Sequence, residues 1–244
     1  MKTALVTGAS GGIGLSVTKT LLEEGYFVFA QYNNNRESLE KLKESLSDEV
    51  AQNLFCYQAD FSVSVQAVLA TKNALRGFNH LDVVVNNAGV GLYKLITDTT
   101  EEEWDRVFTI NLKTAYLITN LALEKMISNK SGKIINVSSM WGKVGASMEV
   151  CYSASKSALI GYTKALAKEV ALSGITVNCI CPGVIDTQMN KRFSKEDMLE
   201  LKEQTPLGRL GEPQYVSKVV KFLISDVADF ITGQIISCDG GFTL

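Results

Sequence analysis

Short apolar runs alternate with amphipathic stretches along the chain, and this alternation constrains the fold more than any other feature of the sequence. The runs have the usual length of strands, about five residues, and their continuous apolar character is typical of strands covered on both faces. The stretches between them have the apolar periodicity of helices. Strands that each lead into a helix form parallel sheets. We therefore predict one α/β domain over residues 1–244, with a doubly wound sheet of seven parallel strands flanked by helices.

The predicted elements follow this alternation in order. Strands are predicted at residues 3–7, 26–30, 53–59, 81–85, 133–137, 175–180 and 234–238. The two longest helices are predicted at residues 101–128 and 150–172. A polar, charged region at about residues 186–212 is predicted to form a loop over the substrate, with a helix near residues 195–204.

Charge and apolar content exclude several kinds of partner. The formal net charge is −2, so no overall positive field would attract nucleic acid or an anionic membrane. No apolar stretch approaches the ~20 residues that span a bilayer. Met1 and Lys2 lead into the first strand without a signal-peptide pattern. We therefore expect a cytoplasmic protein with neither a membrane nor a nucleic-acid partner.

Cysteine and histidine usage argues against metal chemistry. Five cysteines are scattered, mostly in apolar strand-like stretches, where buried thiols are the usual outcome. Cys179 and Cys181 share one side of a strand but have no further ligands beside them, so we predict no metal site. His80 is the single histidine, which excludes a histidine-rich metal centre and disfavours a Ser-His-Asp hydrolase.

A glycine-rich turn follows the first strand and leads into a helix. Gly8, Gly12 and Gly14 have the spacing G-x-x-x-G-x-G, which differs from the G-x-G-x-x-G of most dinucleotide binders. The physical reason for glycine is the same in both patterns. Without Cβ atoms the backbone can approach a pyrophosphate, and the helix N-terminus attracts its charge. Because this turn lies between a strand and a helix, it predicts a nucleotide-binding Rossmann fold.

Tyr152 and Lys156 form the strongest candidate pair for chemistry. They are four residues apart on a predicted helix, so their side chains share a face. A nearby ammonium lowers the pKa of a phenol, which could then exchange a proton with a carbonyl or an alcohol near neutral pH. Ser139, at the end of the fifth predicted strand, could hold the same oxygen. Such pairs also occur by chance on helices, so the spacing alone does not decide the role.

These features together resemble the short-chain dehydrogenase/reductase family over residues 7–241. The matching motifs are T-G-x-x-x-G-I-G from Thr7, a serine thirteen positions before Tyr152, and Tyr-x-x-x-Lys. The resemblance implies hydride transfer with a nicotinamide cofactor and a catalytic set of Asn111, Ser139, Tyr152 and Lys156. Asn111 is assigned by the resemblance alone, as the residue that anchors a water in a proton relay.

The resemblance also implies how the cofactor binds. Asp60 would bond the adenine amine, the N-N-A-G stretch from Asn86 would pack beside the adenosine, and Thr187 would meet the nicotinamide carboxamide. A structural role for Asn86 and Asn87, as a turn that stabilises the sheet, is equally compatible with the sequence. The complete predicted set for the cofactor is Gly8, Ser10, Gly11, Gly12, Ile13, Gly14, Asn33, Arg36, Asp60, Phe61, Asn87, Ala88, Gly89, Tyr152, Lys156, Pro182, Gly183, Val184, Ile185 and Thr187.

The end of the second predicted strand governs the choice between NAD and NADP. A carboxylate there would bind the ribose hydroxyls of NAD and repel the extra phosphate of NADP. The segment instead offers neutral amides, such as Asn33, followed by Arg36, which predicts NADP(H). Two observations weigh against this choice. Gly11 stands where many NADP-using relatives carry arginine or lysine, and Arg36 is equally compatible with a solvated place in the next helix.

Two substrate assignments fit the resemblance. The segments P-L-G-R-L-G-E-P and I-T-G-Q-x-I-x-x-D-G-G resemble the 3-oxoacyl-[acyl-carrier-protein] reductase branch, which implies a carrier-bound carbonyl in fatty acid biosynthesis; this is the assignment we favour from sequence. The chain departs from that branch at Ser173, where a carrier-binding arginine is frequent, and at residues 145–150. Trp141, Gly142 and residues 145–150 also resemble the reductases that complete the aminopentanol modification of elongation factor P.

A third interpretation is a nucleotide-binding protein without catalysis. All four catalytic positions are filled here, which argues against that interpretation.

The two longest predicted helices also bear on assembly. They carry more apolar residues than one buried face needs, including Trp104, Phe108, Tyr116 and Leu117. The resemblance implies that these helices pair between subunits as a four-helix bundle, and that the last helix and strand form a second contact. Two distinct two-fold contacts give D2 symmetry, so we predict a homotetramer. The alternative is that these side chains only cover the sheet of their own subunit.

Overall fold

One seven-stranded parallel sheet organises the computed structural model, which describes residues 2–192 and 194–244. With the strands numbered along the chain, their order in the sheet is 3-2-1-4-5-6-7, which confirms the predicted doubly wound architecture. Residues 1 and 193, which belong to the predicted domain, lie outside the described residues. The strands are β1 (Lys2–Val6), β2 (Tyr26–Tyr32), β3 (Leu54–Gln58), β4 (Val83–Asn86), β5 (Gly132–Val137), β6 (Ile175–Pro182) and β7 (Ile235–Cys238).

Helices cover both faces of this sheet. Side chains alternate across a strand, and β1 illustrates the result. Ala4 and Val6 pack in one core with helices at residues 12–23 and 213–224, whereas Leu5 packs in the other with helices at residues 64–78, 114–129 and 150–170. Strands buried in this way need apolar residues at every position. The helices are α1 (Gly12–Glu23), α2 (Glu37–Glu44), α3 (Asp48–Ala51), α4 (Ser64–Phe78), α5 (Glu101–Phe108), α6 (Thr114–Asn129), α7 (Trp141–Val144), α8 (Val150–Val170), α9 (Lys195–Glu203) and α10 (Pro213–Ile224).

The strand order reverses beside β1. This strand pairs with β2 on one side and with β4 on the other. The loops that follow β1 and β4 therefore lead to opposite sides of the sheet and leave a crevice at the carboxyl ends of the strands. In open α/β sheets, ligands bind at such a reversal.

The long helix predicted at residues 101–128 is found as one helical run that contains a π turn, which the sequence-based expectation did not include. α5 begins with a capping box formed by Thr100 and Glu103 and ends at Phe108. Residues Thr109–Lys113 then form a π turn before α6 begins. The hydroxyl of Thr114, the first residue of α6, donates to the Ile110 carbonyl of this turn at 2.6 Å. π turns are frequent at functional sites, and this one carries Asn111.

Among the described residues, no helix combines the length and the apolar character needed to cross a bilayer. The region predicted to lie over the substrate contains the 3₁₀ turn Gln188–Arg192 and α9. α9 begins with a second capping box, formed by Ser194 and Asp197. Cys151, Cys179 and Cys181 are buried as expected, while Cys56 is exposed.

Candidate active site

A cavity of about 1210 Å³ lies at the carboxyl ends of the strands, where the strand order reverses. Its wall includes every predicted cofactor residue except Arg36. Ser139, Tyr152 and Lys156 line it as well, so one space joins the glycine-rich turn to the predicted catalytic side chains. Asn111 is not part of the wall formed by the described residues and lies buried behind it.

The glycine-rich turn is shaped by close packing. Gly8 has φ +62°, in the left-handed region that favours glycine. A Cβ atom on Gly14 would lie 2.1 Å from the Gly8 carbonyl oxygen, and one on Gly12 would lie 2.5 Å from Cγ2 of Thr187. The described residues provide no side-chain cap for α1, whose first residues line the cavity. The amides of its first turn are therefore available to a pyrophosphate, and this part of the site fits a dinucleotide cofactor.

The loops after β1 and β4 are joined by hydrogen bonds. The Thr7 hydroxyl oxygen accepts from the backbone amides of Asn87 and Ala88, both at 2.9 Å. The Asn87 side chain donates to the carbonyls of Thr7 and Gly8. Asn86 turns away from the cavity and donates to Asn136 at 2.9 Å and to Thr119. Asn86 therefore has the structural role, and Asn87 both lines the cavity and holds the glycine-rich turn.

The adenosine end of the cavity contains Asp60 and the amides that follow β2. The Asp60 carboxylate accepts from the Ser62 backbone amide at 2.9 Å, and this bond lowers its pKa. Asn33 lies on the wall together with its two following asparagines. Arg36 instead directs its Nε toward Glu40, where it donates to Oε1 at 2.8 Å on the exposed side of α2.

Tyr152 and Lys156 share a face of α8, and both are buried. The Lys156 ammonium donates to the Val137 carbonyl at 2.8 Å and lies 5.9 Å from the centroid of the Tyr152 ring. Burial lowers the pKa of Lys156 to about 8. Most of the lysine is therefore still protonated at neutral pH, and a cation this close stabilises the anionic form of the phenol.

Ser139 follows β5 and faces the same cavity. Its hydroxyl oxygen accepts from the Trp141 backbone amide at 3.2 Å. The hydroxyl hydrogen can therefore be directed at a carbonyl oxygen placed between Ser139 and Tyr152. The neighbouring Ser138 ties β5 to α8 by donating to the Lys156 carbonyl at 2.8 Å.

Asn111 connects the loop after β4 with α8. Its side-chain oxygen accepts from the Val90 amide at 2.8 Å, and its amide nitrogen donates to the Val90 carbonyl at 3.0 Å. The same nitrogen donates to the Ser155 hydroxyl at 2.9 Å, which in turn donates to the Tyr152 carbonyl at 2.7 Å. Asn111 thus positions the segment beside Tyr152, and its part in a proton relay stays a prediction.

Several wall residues have no counterpart among the predicted site residues. Gln31 is buried and bridges two loops, since its Oε1 accepts from the Gly8 amide at 2.8 Å and its Nε2 donates to the Ala59 carbonyl at 2.7 Å. In the sequence, Gln31 could have been recognised as a site residue because it is a polar residue at the end of an apolar strand. Others include the aromatic residues Tyr93, Trp141 and Phe242, the basic residue Arg106 and the acidic residues Glu149, Asp197 and Glu200.

Comparison with known proteins agrees with this geometry. The sequence profile of the short chain dehydrogenase family matches residues 2–198. The uncharacterized oxidoreductase YmfI of Bacillus subtilis is 41% identical over 241 residues, which are 99% of this chain and 98% of that protein. Proteins named 3-oxoacyl-[acyl-carrier-protein] reductase FabG are also similar. The one from Chlamydia trachomatis is 39% identical, over 98% of this chain and 96% of its own length. The one from Staphylococcus aureus strain Mu50 is 40% identical, over 98% of this chain and 97% of its own length. The chain belongs to the short chain dehydrogenase family of oxidoreductases.

Proposed function

We propose that this protein is a cytoplasmic, NADP(H)-dependent reductase of a ketone. The observation that carries the proposal is the convergence of Ser139, Tyr152 and Lys156 on the cavity that the glycine-rich turn opens into. A bound nicotinamide would supply the hydride. Tyr152 would protonate the carbonyl oxygen, Lys156 would stabilise the resulting phenolate, and Ser139 would orient the carbonyl.

The choice of NADP(H) is supported by the residues after β2. Asn33 and the next two asparagines line the cavity, and this loop contains no carboxylate that would repel a 2′-phosphate. Amide nitrogens of these side chains and backbone amides of the glycine-rich turn would hold the phosphate. Arg36 would add to this site only after leaving Glu40.

The first candidate substrate is a 3-oxoacyl group on an acyl carrier protein. It is supported by the names of two relatives that cover nearly the whole chain. Such a substrate brings the phosphate of a prosthetic arm and an acidic carrier to the cavity mouth. Electrostatic complementarity to such a substrate would require a positive surface at the cavity mouth. Against this candidate, Ser173 stands at the position where the resemblance leads us to expect a carrier-binding arginine.

The second candidate is a ketone on a protein side chain, as in the final step of the aminopentanol modification of elongation factor P. The specific observation in its favour is Glu149, which belongs to the segment that resembles those reductases and which lies buried in the cavity wall. Because a carboxylate in that place opposes an anionic substrate, the site supports this second candidate better.

One experiment tests the reaction and separates the candidates. NADPH oxidation is followed with a carrier-bound 3-oxoacyl substrate and, in parallel, with ketone-modified elongation factor P. We expect turnover of the second to exceed that of the first by at least about 10-fold in kcat/KM, which is the scale of one favourable charge pair. A dominant carrier-bound activity would assign the protein to the first candidate, and no oxidation with either substrate or with simple ketones would overturn the reductase proposal.

We also propose a homotetramer. None of the four aromatic and aliphatic residues singled out on the predicted long helix is fully buried, and Tyr116 is 49% exposed. Trp104 stacks on Phe108, with ring centroids 4.8 Å apart, beside a shallow groove that continues to Tyr162 of α8. Exposed apolar side chains also lie elsewhere, at Val227 and Phe230 before β7. Two separate apolar surfaces support two different two-fold contacts.

A further inference from the structure

Gln31 is a buried amide in β2, a strand whose other residues are aliphatic or aromatic, and it lines the cavity. Only 2% of the residue is exposed. Burial of an amide costs free energy unless its polar atoms have hydrogen-bond partners. Its oxygen accepts from the Gly8 backbone amide at 2.8 Å, and its nitrogen donates to the Ala59 carbonyl at 2.7 Å. Because one partner is a donor and the other an acceptor, a single orientation of the amide satisfies both.

The first of these bonds fixes the start of the glycine-rich turn. Gln31 holds the amide of Gly8, while the Asn87 side chain donates to the Gly8 carbonyl at 3.2 Å from the opposite loop. The backbone of Gln31 adds a further connection, since its carbonyl accepts from the Ala9 amide at 2.8 Å. The turn that would hold the pyrophosphate is therefore fixed to the end of β2.

The second bond fixes the segment that carries Asp60, the residue predicted to bond the adenine. Ala59 directly precedes Asp60, and the Ala59 amide donates to the Tyr32 carbonyl at 2.9 Å. On the other side, Oε1 of Gln66 accepts from the Asp60 amide at 2.7 Å. The side chain of Gln31 connects this well-held segment directly to the glycine-rich turn.

We propose that Gln31 is a positioning residue that sets the separation between the pyrophosphate end and the adenine end of the cofactor site. This inference rests on the proposed use of NADP(H). A dinucleotide joins its two halves covalently, so it gains affinity from both only where the protein holds both regions at a matching separation. Gln31 therefore contributes more to the affinity for the whole cofactor than to the affinity for its adenosine half.

Gln31→Met tests this inference by binding rather than by turnover. Methionine has nearly the length of glutamine but forms neither hydrogen bond. The Kd of NADPH is measured by fluorescence titration, and that of adenosine 2′-monophosphate, which lacks the pyrophosphate, by calorimetry. We expect the Kd of NADPH to rise by about 10-fold, the scale of one or two lost hydrogen bonds, and that of the adenosine half to stay within about 2-fold.

Asn178→Leu is the matched control. Asn178 of β6 is a second buried amide that bridges two backbone groups, since Oδ1 accepts from the Gln234 amide at 3.0 Å and Nδ2 donates to the Ile231 carbonyl at 2.8 Å. It is not among the described residues of the cavity wall. Asn178→Leu removes a comparable pair of bonds, so the free energy of unfolding should fall while both Kd values stay within about 2-fold of the wild type.

Hydrogen exchange of the wild type provides a measurement that needs no variant, should Gln31→Met fail to fold. Adenosine 2′-monophosphate occupies only the adenine end of the site. Because the Gly8 amide is bonded to Gln31, ordering of the segment at Ala59 should make local opening at Gly8 rarer and slow the exchange of that amide. Unchanged exchange would show that the two ends are not connected through Gln31.

The outcomes separate this inference from the proposed function. An unchanged Kd of NADPH in Gln31→Met, or an equal rise for NADPH and for adenosine 2′-monophosphate, would overturn the positioning role and leave the reductase proposal in place. A wild type that binds NADH more tightly than NADPH would overturn the proposed cofactor alone, and the same comparison is then made with NADH and adenosine. Binding of neither dinucleotide would overturn the proposed function, and this inference with it.

Discussion

Lys156 shows how burial and charge are balanced at a single residue. Burial favours the neutral amine and lowers the pKa of Lys156 to about 8, yet stabilisation of an anionic Tyr152 needs the ammonium, which also donates to the Val137 carbonyl. The charged form costs folding stability below pH 8, and this cost is relieved as the pH rises from 8 toward the ordinary lysine value. A residue held at this expense of stability fits a functional role better than a structural one.

Tyr152→Phe should abolish turnover without weakening cofactor binding. The phenylalanine ring fills the same space but cannot supply a proton, so we expect kcat to fall by about 100-fold or more. Fluorescence titration with NADPH should give a Kd within about 2-fold of the wild type, because only a hydroxyl is removed. Tyr57→Phe, on β3 and outside the cavity wall, is the control for removal of a phenol. A Tyr152→Phe enzyme with more than about a tenth of the wild-type kcat would contradict the assignment.

The pKa of Lys156 sets a pH limit on reduction. Its ammonium is present below about pH 8 and is lost above it in the free protein. We therefore expect kcat/KM for NADPH to be level near neutral pH and to fall as the pH rises through 8, since this parameter reports groups of the free enzyme. Initial rates in buffers of constant ionic strength measure the profile. A rate that stays level well above that pH would show that the charge of Lys156 is not required.

Asn33→Asp should change the preferred cofactor. A carboxylate at the end of β2 repels a 2′-phosphate and can accept hydrogen bonds from the ribose hydroxyls. The ratio of kcat/KM for NADPH over that for NADH should fall by about 10-fold or more, because the amide can no longer donate a charge-assisted hydrogen bond to the phosphate. Asn129→Asp, on the exposed end of α6, adds the same charge far from the cavity and should leave the ratio unchanged. If the wild type shows no preference for NADPH, the proposed cofactor is wrong.

At the scale of elements, the packing of α1 against the turn after β1 is the feature most sensitive to change. Gly14→Ala places a Cβ atom 2.1 Å from the Gly8 carbonyl oxygen and 2.7 Å from Nδ2 of Asn87, so both loops of the crevice must move. We expect a loss of about 2 kcal/mol or more in the free energy of unfolding and a weaker NADPH complex. Denaturant titration and fluorescence measure the two effects.

Gly77→Ala is the matched control for this prediction. It lies in α4, and a Cβ atom there would meet nothing within 4 Å. Because alanine favours helix more than glycine does, the change should leave stability equal or slightly raised. If Gly14→Ala also left the free energy of unfolding unchanged, the close approach at the glycine-rich turn would not contribute to stability.

The elements differ in how far the sequence determines them. The central strands could be predicted because burial on both faces demands apolar residues at each position, and the glycine-rich turn because its spacing reflects a local steric need. The π turn at Asn111 could not, since it depends on contacts with Val90 and Ser155, which are distant in sequence. The same holds for Glu149, whose burial is set by how the segment before α8 folds onto the cavity.

At the scale of the whole molecule, the exposed apolar surfaces predict a specific assembly. Light scattering after size exclusion should give about four times the chain mass of 26.6 kDa. Tyr116→Glu places a charge in the proposed helix contact and should therefore yield species smaller than a tetramer. Activity should fall as well, because α8 borders the same groove and carries Tyr152. Val65→Glu alters an equally exposed apolar residue of α4 and should leave the mass unchanged. A fully active monomer would contradict both parts of the prediction.

The π turn at Thr109–Lys113 also bears on how the gene can change. A π turn holds one more residue than the α-helical path it replaces, so loss of a single codon could straighten the segment without breaking its helical hydrogen bonds. Each residue turns an α-helix by about 100°, but the extra residue is absorbed within the wider turn, so the side chains of α6 would nearly keep their orientation relative to α5. Insertion or deletion elsewhere in α6 would shift its whole face, whereas this one deletion would change the turn that carries Asn111 and leave the faces of both helices in place.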